Sequence, residues 1–115
     1  MELLNLSNND LELKDSAIEA FYRIARRQGS RQDFIEMYFF LQRFSLEEVL
    51  DFFTPKYPSY SLFRALMSLT YFADAEKFDM PTMFVDFDWE ECKSFILSKV
   101  KEYESHYWTF LKPLL

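Results

Sequence analysis

Apolar residues in this chain recur three or four positions apart through most of its length, and alternation with period two is nearly absent. From about residue 13 to residue 28, Leu13, Ala17, Ala20, Phe21 and Ile24 line one side, the spacing of an amphipathic helix. Glu19 and Arg23 stand four apart on the outer side, in the order that favours pairing. Gly29 ends this helix, as glycine commonly does. Ser30 and Asp33 then have the spacing of a capping box, with aspartate in place of the usual glutamate. They open a second helix running to about Phe44. Its apolar positions (Phe34, Ile35, Met37, Tyr38, Phe39, Phe40, Leu41) occupy more than one stripe, which predicts a central helix.

A cleaner capping box, Ser45 with Glu48, starts a third helix carrying Leu46, Val49, Leu50 and Phe53 and expected to stop before Pro55. The segment TPKYPSYS reads as a connector. A fourth helix is expected from about Ser59 to Ala75, with Leu62, Leu66 and Leu69 on one face and Phe63 and Met67 beside it. Asp79, Met80 and Pro81 break that pattern. Asp88 with Glu91 signals a last helix, with Trp89, Cys92, Ile96, Lys99 or Val100, Tyr103 and Tyr107 along one seam to about Leu111. Residues 2–6 read as a short strand or an extended arm, Asn8 to Asp10 as a polar turn, and residues 82–87 as an extended piece. The predicted fold class is all-α, a compact bundle of about five helices in one domain, with a short extended pair left open.

Composition supports that reading. The 115 residues suffice for one real core, and half of them are hydrophobic, including 14 Phe and 7 Tyr. A single Gly in the whole chain argues against the many tight turns of a sandwich or barrel. The net charge of −6 speaks against broad nucleic-acid binding, although a local basic cluster can still attract one phosphate. Cys92 stands alone, which excludes an internal disulfide and fits a reducing, cytoplasmic compartment. The first residues lack a positive region followed by an apolar run, so no signal peptide is expected. No uninterrupted apolar run of about 18 residues occurs, so no membrane span is expected either.

The turn at Gly29 carries the densest candidate chemistry. Arg23, Arg26, Arg27 and Arg31 surround it, with Asp33 and Glu36 close by. Guanidinium groups match phosphate oxygens, so Arg27, Arg31 and Asp33 are candidates to lie near a nucleotide or phosphate. Basic residues set against a helix C-terminal dipole, and a capping Asp33, account for the same pattern without a ligand. Asp74, Glu76 and Asp79 form an acidic cluster better suited to pairing with arginines than to holding a cation. Cys92 and His106 have no metal spacing and no nucleophile–base signature. Tyr103, Tyr107, Trp108 and Phe110 place aromatic rings around much of the last helix, making them candidates for an interface with a partner or a second copy.

Gly29, Ser30, Arg31, Asp33, Phe34 and Tyr38, then Ser45 to Glu48, Tyr71–Phe72, Asp74 to Glu76, Met80–Pro81, Met83 and Trp89 to Glu91 form an ordered series over roughly residues 13–103. In order and spacing it resembles the C-terminal helical part of the abortive-infection (AbiE-type) nucleotidyltransferase toxins. The resemblance implies a helical half that packs on a catalytic domain, with the Arg27–Asp33 turn facing a nucleotide cleft and Asp33 orienting a catalytic group. In complete members of that family, an upstream Gly-Ser segment and an Asp-x-Asp pair hold magnesium and the nucleoside triphosphate. Here those motifs have no counterpart, the family's lysine falls near Phe21 or Tyr22, its Lys-Asp pair reads Gln32–Asp33, and its next aspartate is Glu36. No cofactor and no catalytic residue are therefore expected in this chain. The expected role is a non-catalytic, accessory or remnant module whose partner is a catalytic nucleotidyltransferase domain or a cognate antitoxin. The alternative is an independent interaction module, for instance a homodimer built on the aromatic last helix.

Overall fold

A computed structural model describes the backbone of residues 8–77, 79–81 and 87–111, and the side chains of those between 11 and 106. Five α-helices follow one another: α1 (Asn8–Ala25), α2 (Arg31–Leu41), α3 (Leu46–Lys56), α4 (Leu62–Ser68) and α5 (Trp89–Leu111), with a 3-10 turn at Ala75–Lys77. Among the described residues there is no strand, so the all-α class holds. The two segments expected to be extended, 2–6 and 82–87, lie almost wholly outside the described residues.

α1 presents Ala17, Ile18, Phe21, Ile24 and Ala25 to the core at helical spacing. It begins earlier than the sequence suggests. Asn8, Asn9 and Asp10 form its first turn rather than a polar turn ahead of it. Such residues suit a helix start, where an acidic charge meets the positive end of the dipole.

α2 packs most extensively against α1 and also meets α5. Phe34, Ile35, Met37, Phe40 and Leu41 are buried on it, which makes it the central helix, while Phe39 turns outward. Ser30 and Asp33 form a full capping box, each side chain bonding the other residue's backbone N–H. Ser45 and Glu48 do the same for α3. The rings of Phe21 and Phe53 join α1 to α3 with centroids 4.7 Å apart. Each fully buried Phe contributes about 2–3 kcal/mol of apolar transfer, more than any surface ion pair supplies.

Three further boundaries differ from expectation, each for a local reason. α3 does not stop before Pro55 but runs to Lys56 with the proline inside its last turn. The missing N–H would have bonded the carbonyl of Asp51, an exposed residue, while Thr54 Oγ1 donates to the Leu50 carbonyl at 2.8 Å. The expected long helix over 59–75 is only α4, capped by Ser61 and closed at Leu69. Backbone bonds from Leu69 to Leu66, Thr70 to Met67 and Tyr71 to Ser68 tighten its end, and the Thr70 hydroxyl donates to the Met67 carbonyl at 2.7 Å.

The third difference is at Gly29, whose φ is not positive; the left-handed residue is Arg27, at φ 65°. Arg27 N–H donates to the Ile24 carbonyl and Gln28 N–H to the Arg23 carbonyl, each at 2.9 Å, the paired bonds of a Schellman ending. Glycine is needed at 29 for another reason. A Cβ there would sit 2.7 Å from Ile24 Cγ1 and 3.1 Å from Ile24 Cα, so the incoming chain lies directly on α1.

α5 buries Trp89, Cys92, Ile96 and Val100 along the expected seam. Asp88 Oδ1 accepts from the Glu90 N–H at 2.9 Å, fixing its start.

Candidate functional site

The basic turn is a knot of internal pairs. Asp33 is 3% exposed and carries four acceptor contacts. Arg23 Nε and Nη2 donate to its Oδ1 at 2.9 and 2.8 Å, while the Ser30 N–H and hydroxyl donate to Oδ2 at 2.9 and 3.2 Å. The hydrogen bond it donates to Asp33 raises the Arg23 guanidinium above its ordinary range. Arg23 thus takes Asp33 as its partner rather than Glu19, the carboxylate four residues earlier on the same helix. Glu19 instead pairs with Lys56 and accepts from Tyr57 Oη at 2.9 Å. A buried, capped aspartate has fixed geometry, which a pair of exposed side chains on one helix lacks.

Arg27 Nε donates to Asp74 at 2.7 Å, and its guanidinium lies 3.9 Å from the Tyr71 ring centroid. The acidic run after α4 therefore does pair with an arginine. Arg31 lies over Trp89, 5.2 Å from the ring centroid, with Nη1 3.7 Å from Met80 Sδ. Its Nε is buried with no hydrogen-bond partner among the described residues. Glu76 accepts from Trp89 Nε1 at 3.0 Å and pairs with Lys93 Nζ, and that second bond does most to hold its carboxyl below the usual value. Glu36 accepts from Ser16 and Gln32. Arg27, Arg31 and Asp33 thus lie at one corner of the bundle, each engaged with a different neighbour.

Cys92 is fully buried, and desolvation pushes its thiol up to about 12, so it stays protonated. His106 is exposed. Among the described residues, no group of three or more His, Cys, Asp or Glu side chains could hold a metal ion. Of the aromatic residues proposed for an interface, Tyr103 packs partly against the core, while the side chains of Tyr107, Trp108 and Phe110 lie outside the described residues.

A surface that the sequence reading passed over lies beside this knot. The end of α1 and the outer face of α4 enclose an open groove of about 490 Å³. Arg26, Arg27, Phe63, Arg64, Met67 and Tyr71 form its walls. Tyr60 Oη, donating to the Ala25 carbonyl at 2.5 Å, and Ser68 line its floor. Phe63 is 70% exposed and Tyr71 45%, the two most exposed large hydrophobic side chains described. The sequence pattern places Phe63 and Met67 on one flank of a long helix and gives Arg64 no role. Their meaning depends on α4 ending after two turns, and the bonds that end it are not visible as a periodicity.

No helix among the described residues is long and apolar enough to cross a membrane. No protein-family model matches the chain, and no solved structure matches it. The chain is similar to an uncharacterised protein of Aquifex aeolicus, aq_aa25, with 33% identity over 105 residues. That match covers 84% of this chain and 48% of the relative, so the chain spans about half the length of the curated relative it resembles.

Proposed function

We propose that this chain is a non-catalytic helical module that packs against a second protein domain. The observation that carries the reading is the length of the relative: a chain related to this one contains as much polypeptide again outside the shared region. The polar chemistry of the Gly29 corner supports it. Arg23, Arg27 and Asp33 are spent on holding helices together, which suits a scaffold better than a reacting centre. The likeness of the Gly29–Glu91 series to nucleotidyltransferase toxins gives the second domain a chemical identity, a nucleotidyltransferase half with Gly-Ser and Asp-x-Asp motifs. A cytoplasmic setting accompanies this reading, because a lone cysteine can form no internal disulfide and fits a reducing compartment.

Co-expression with the product of the adjacent upstream reading frame, tagged on that product, tests the proposal. The expected result is co-purification in a fixed ratio that survives gel filtration. Recovery of the tagged product alone would overturn it. A concentration-independent homodimer of the isolated chain would favour the alternative role, self-association.

A further inference from the structure

We propose that the groove between α1 and α4 is a docking site for an acidic protein segment with an apolar anchor. This rests on the docking reading above and names the face and the chemistry of the contact.

Charge is the first argument. The groove is lined by three arginines and by no carboxylate, on a chain whose net charge is −6. Arg26 and Arg64 form no ion pair with any described residue, and only Arg27 has an acid, Asp74, against it. A cationic patch on an acidic protein steers a partner of opposite sign and repels further copies of the chain's own arginine face.

Shape and side-chain type are the second. Phe63, Met67 and Tyr71 make an apolar stripe between the arginines, and exposed aromatic residues beside arginine are the side chains that dominate binding energy at protein interfaces.

Spread carboxylates fit this groove better than a compact polyphosphate. The C-terminal end of α1 borders it, where the helix dipole is negative and opposes concentrated anionic charge. Carboxylates on either side of an apolar anchor meet Arg26 and Arg64 at the rim while the anchor meets Phe63 and Met67.

The test uses the full chain and three fluorescein-labelled probes of equal length: a peptide alternating glutamate and leucine, one alternating lysine and leucine, and single-stranded oligothymidylate. Anisotropy titrations are run on the wild type, Arg64→Glu and Phe63→Ser, with thermal unfolding of each variant as the control for folding. Both side chains are exposed, so melting should stay close to that of the wild type. Saturable binding of the glutamate peptide alone is expected, weakened by salt and on the order of tenfold by either substitution.

Equal binding of both peptides, no saturable binding, or indifference to both substitutions would overturn the proposal. Preferential binding of oligothymidylate would overturn it in favour of a nucleic-acid site. The wider reading fails separately. A partner complex that forms equally well with Arg64→Glu leaves the module intact and removes the groove from it, whereas peptide binding without a partner complex does the reverse.

Discussion

Replacing Asp33 by alanine should cost far more than any substitution of an exposed charge. The change removes two bonds at the start of α2, from the Ser30 N–H at 2.9 Å and the Ser30 hydroxyl at 3.2 Å. It also removes the Arg23 pair at 2.8 Å. The backbone bond to a buried carboxylate is worth about 1.5–2 kcal/mol. Arg23 is 48% exposed, so solvent screening holds its pairing to about 0.5–1 kcal/mol. The net loss is about 2–3 kcal/mol, or about 8–12 °C in Tm for a domain of this size.

Asp33→Asn keeps an acceptor for the Ser30 N–H and loses only the charge, so it should cost about 1 kcal/mol. Urea unfolding followed by far-ultraviolet circular dichroism measures both, and the slope with denaturant should not change. An alanine variant within about 0.5 kcal/mol of wild type, or an asparagine variant as unstable as alanine, would refute the structural role assigned to this carboxylate.

Three further outcomes follow from the same corner and its surroundings. Gly29→Ala should destabilise by about 1–2 kcal/mol, read by thermal melting, because the new Cβ meets Ile24 Cγ1 at 2.7 Å and overpacking outweighs the entropy gained in the unfolded chain. Arg27→Gly should melt near the wild type, relief of the left-handed strain offsetting the lost contacts, whereas Arg27→Ala keeps the strain and should be about 1 kcal/mol less stable than the glycine variant by urea titration. Glu19 is held below its usual 4.5 chiefly by the hydrogen bond from Lys56. The unfolded chain therefore takes up that proton first, and the stabilisation is full above this value and lost as pH falls through the folded one. Lys56→Met should accordingly be less stable than wild type at neutral pH, with the gap in urea midpoint closing as pH falls below that ordinary value.

Helix identity was legible in the sequence wherever a core stripe and a capping pair agreed. Ser30 with Asp33 and Ser45 with Glu48 marked the starts of α2 and α3, and the Trp89–Cys92–Ile96–Val100 seam marked α5. Helix ends were harder to read. Pro55 is tolerated because the carbonyl it leaves belongs to an exposed residue, and α4 stops because Thr70 and three tight backbone bonds compete with continuation. Neither cause produces a repeat in the residue order. The glycine rule misassigned the turn for a similar reason, since close packing on Ile24, not handedness, sets the need at position 29. Arg27, Arg31 and Asp33 are neighbours in the sequence, but their partners Asp74, Trp89 and Arg23 depend on contacts across the fold. The groove could not be read at all without knowing where α4 ends.

Sedimentation equilibrium of the chain mixed with the upstream product tests the docking role most directly. A single species at the summed mass is expected, dissociating with added salt and weakened by Arg64→Glu. Two species at their separate masses, this chain remaining at 14.0 kDa across the concentration range, would contradict the account.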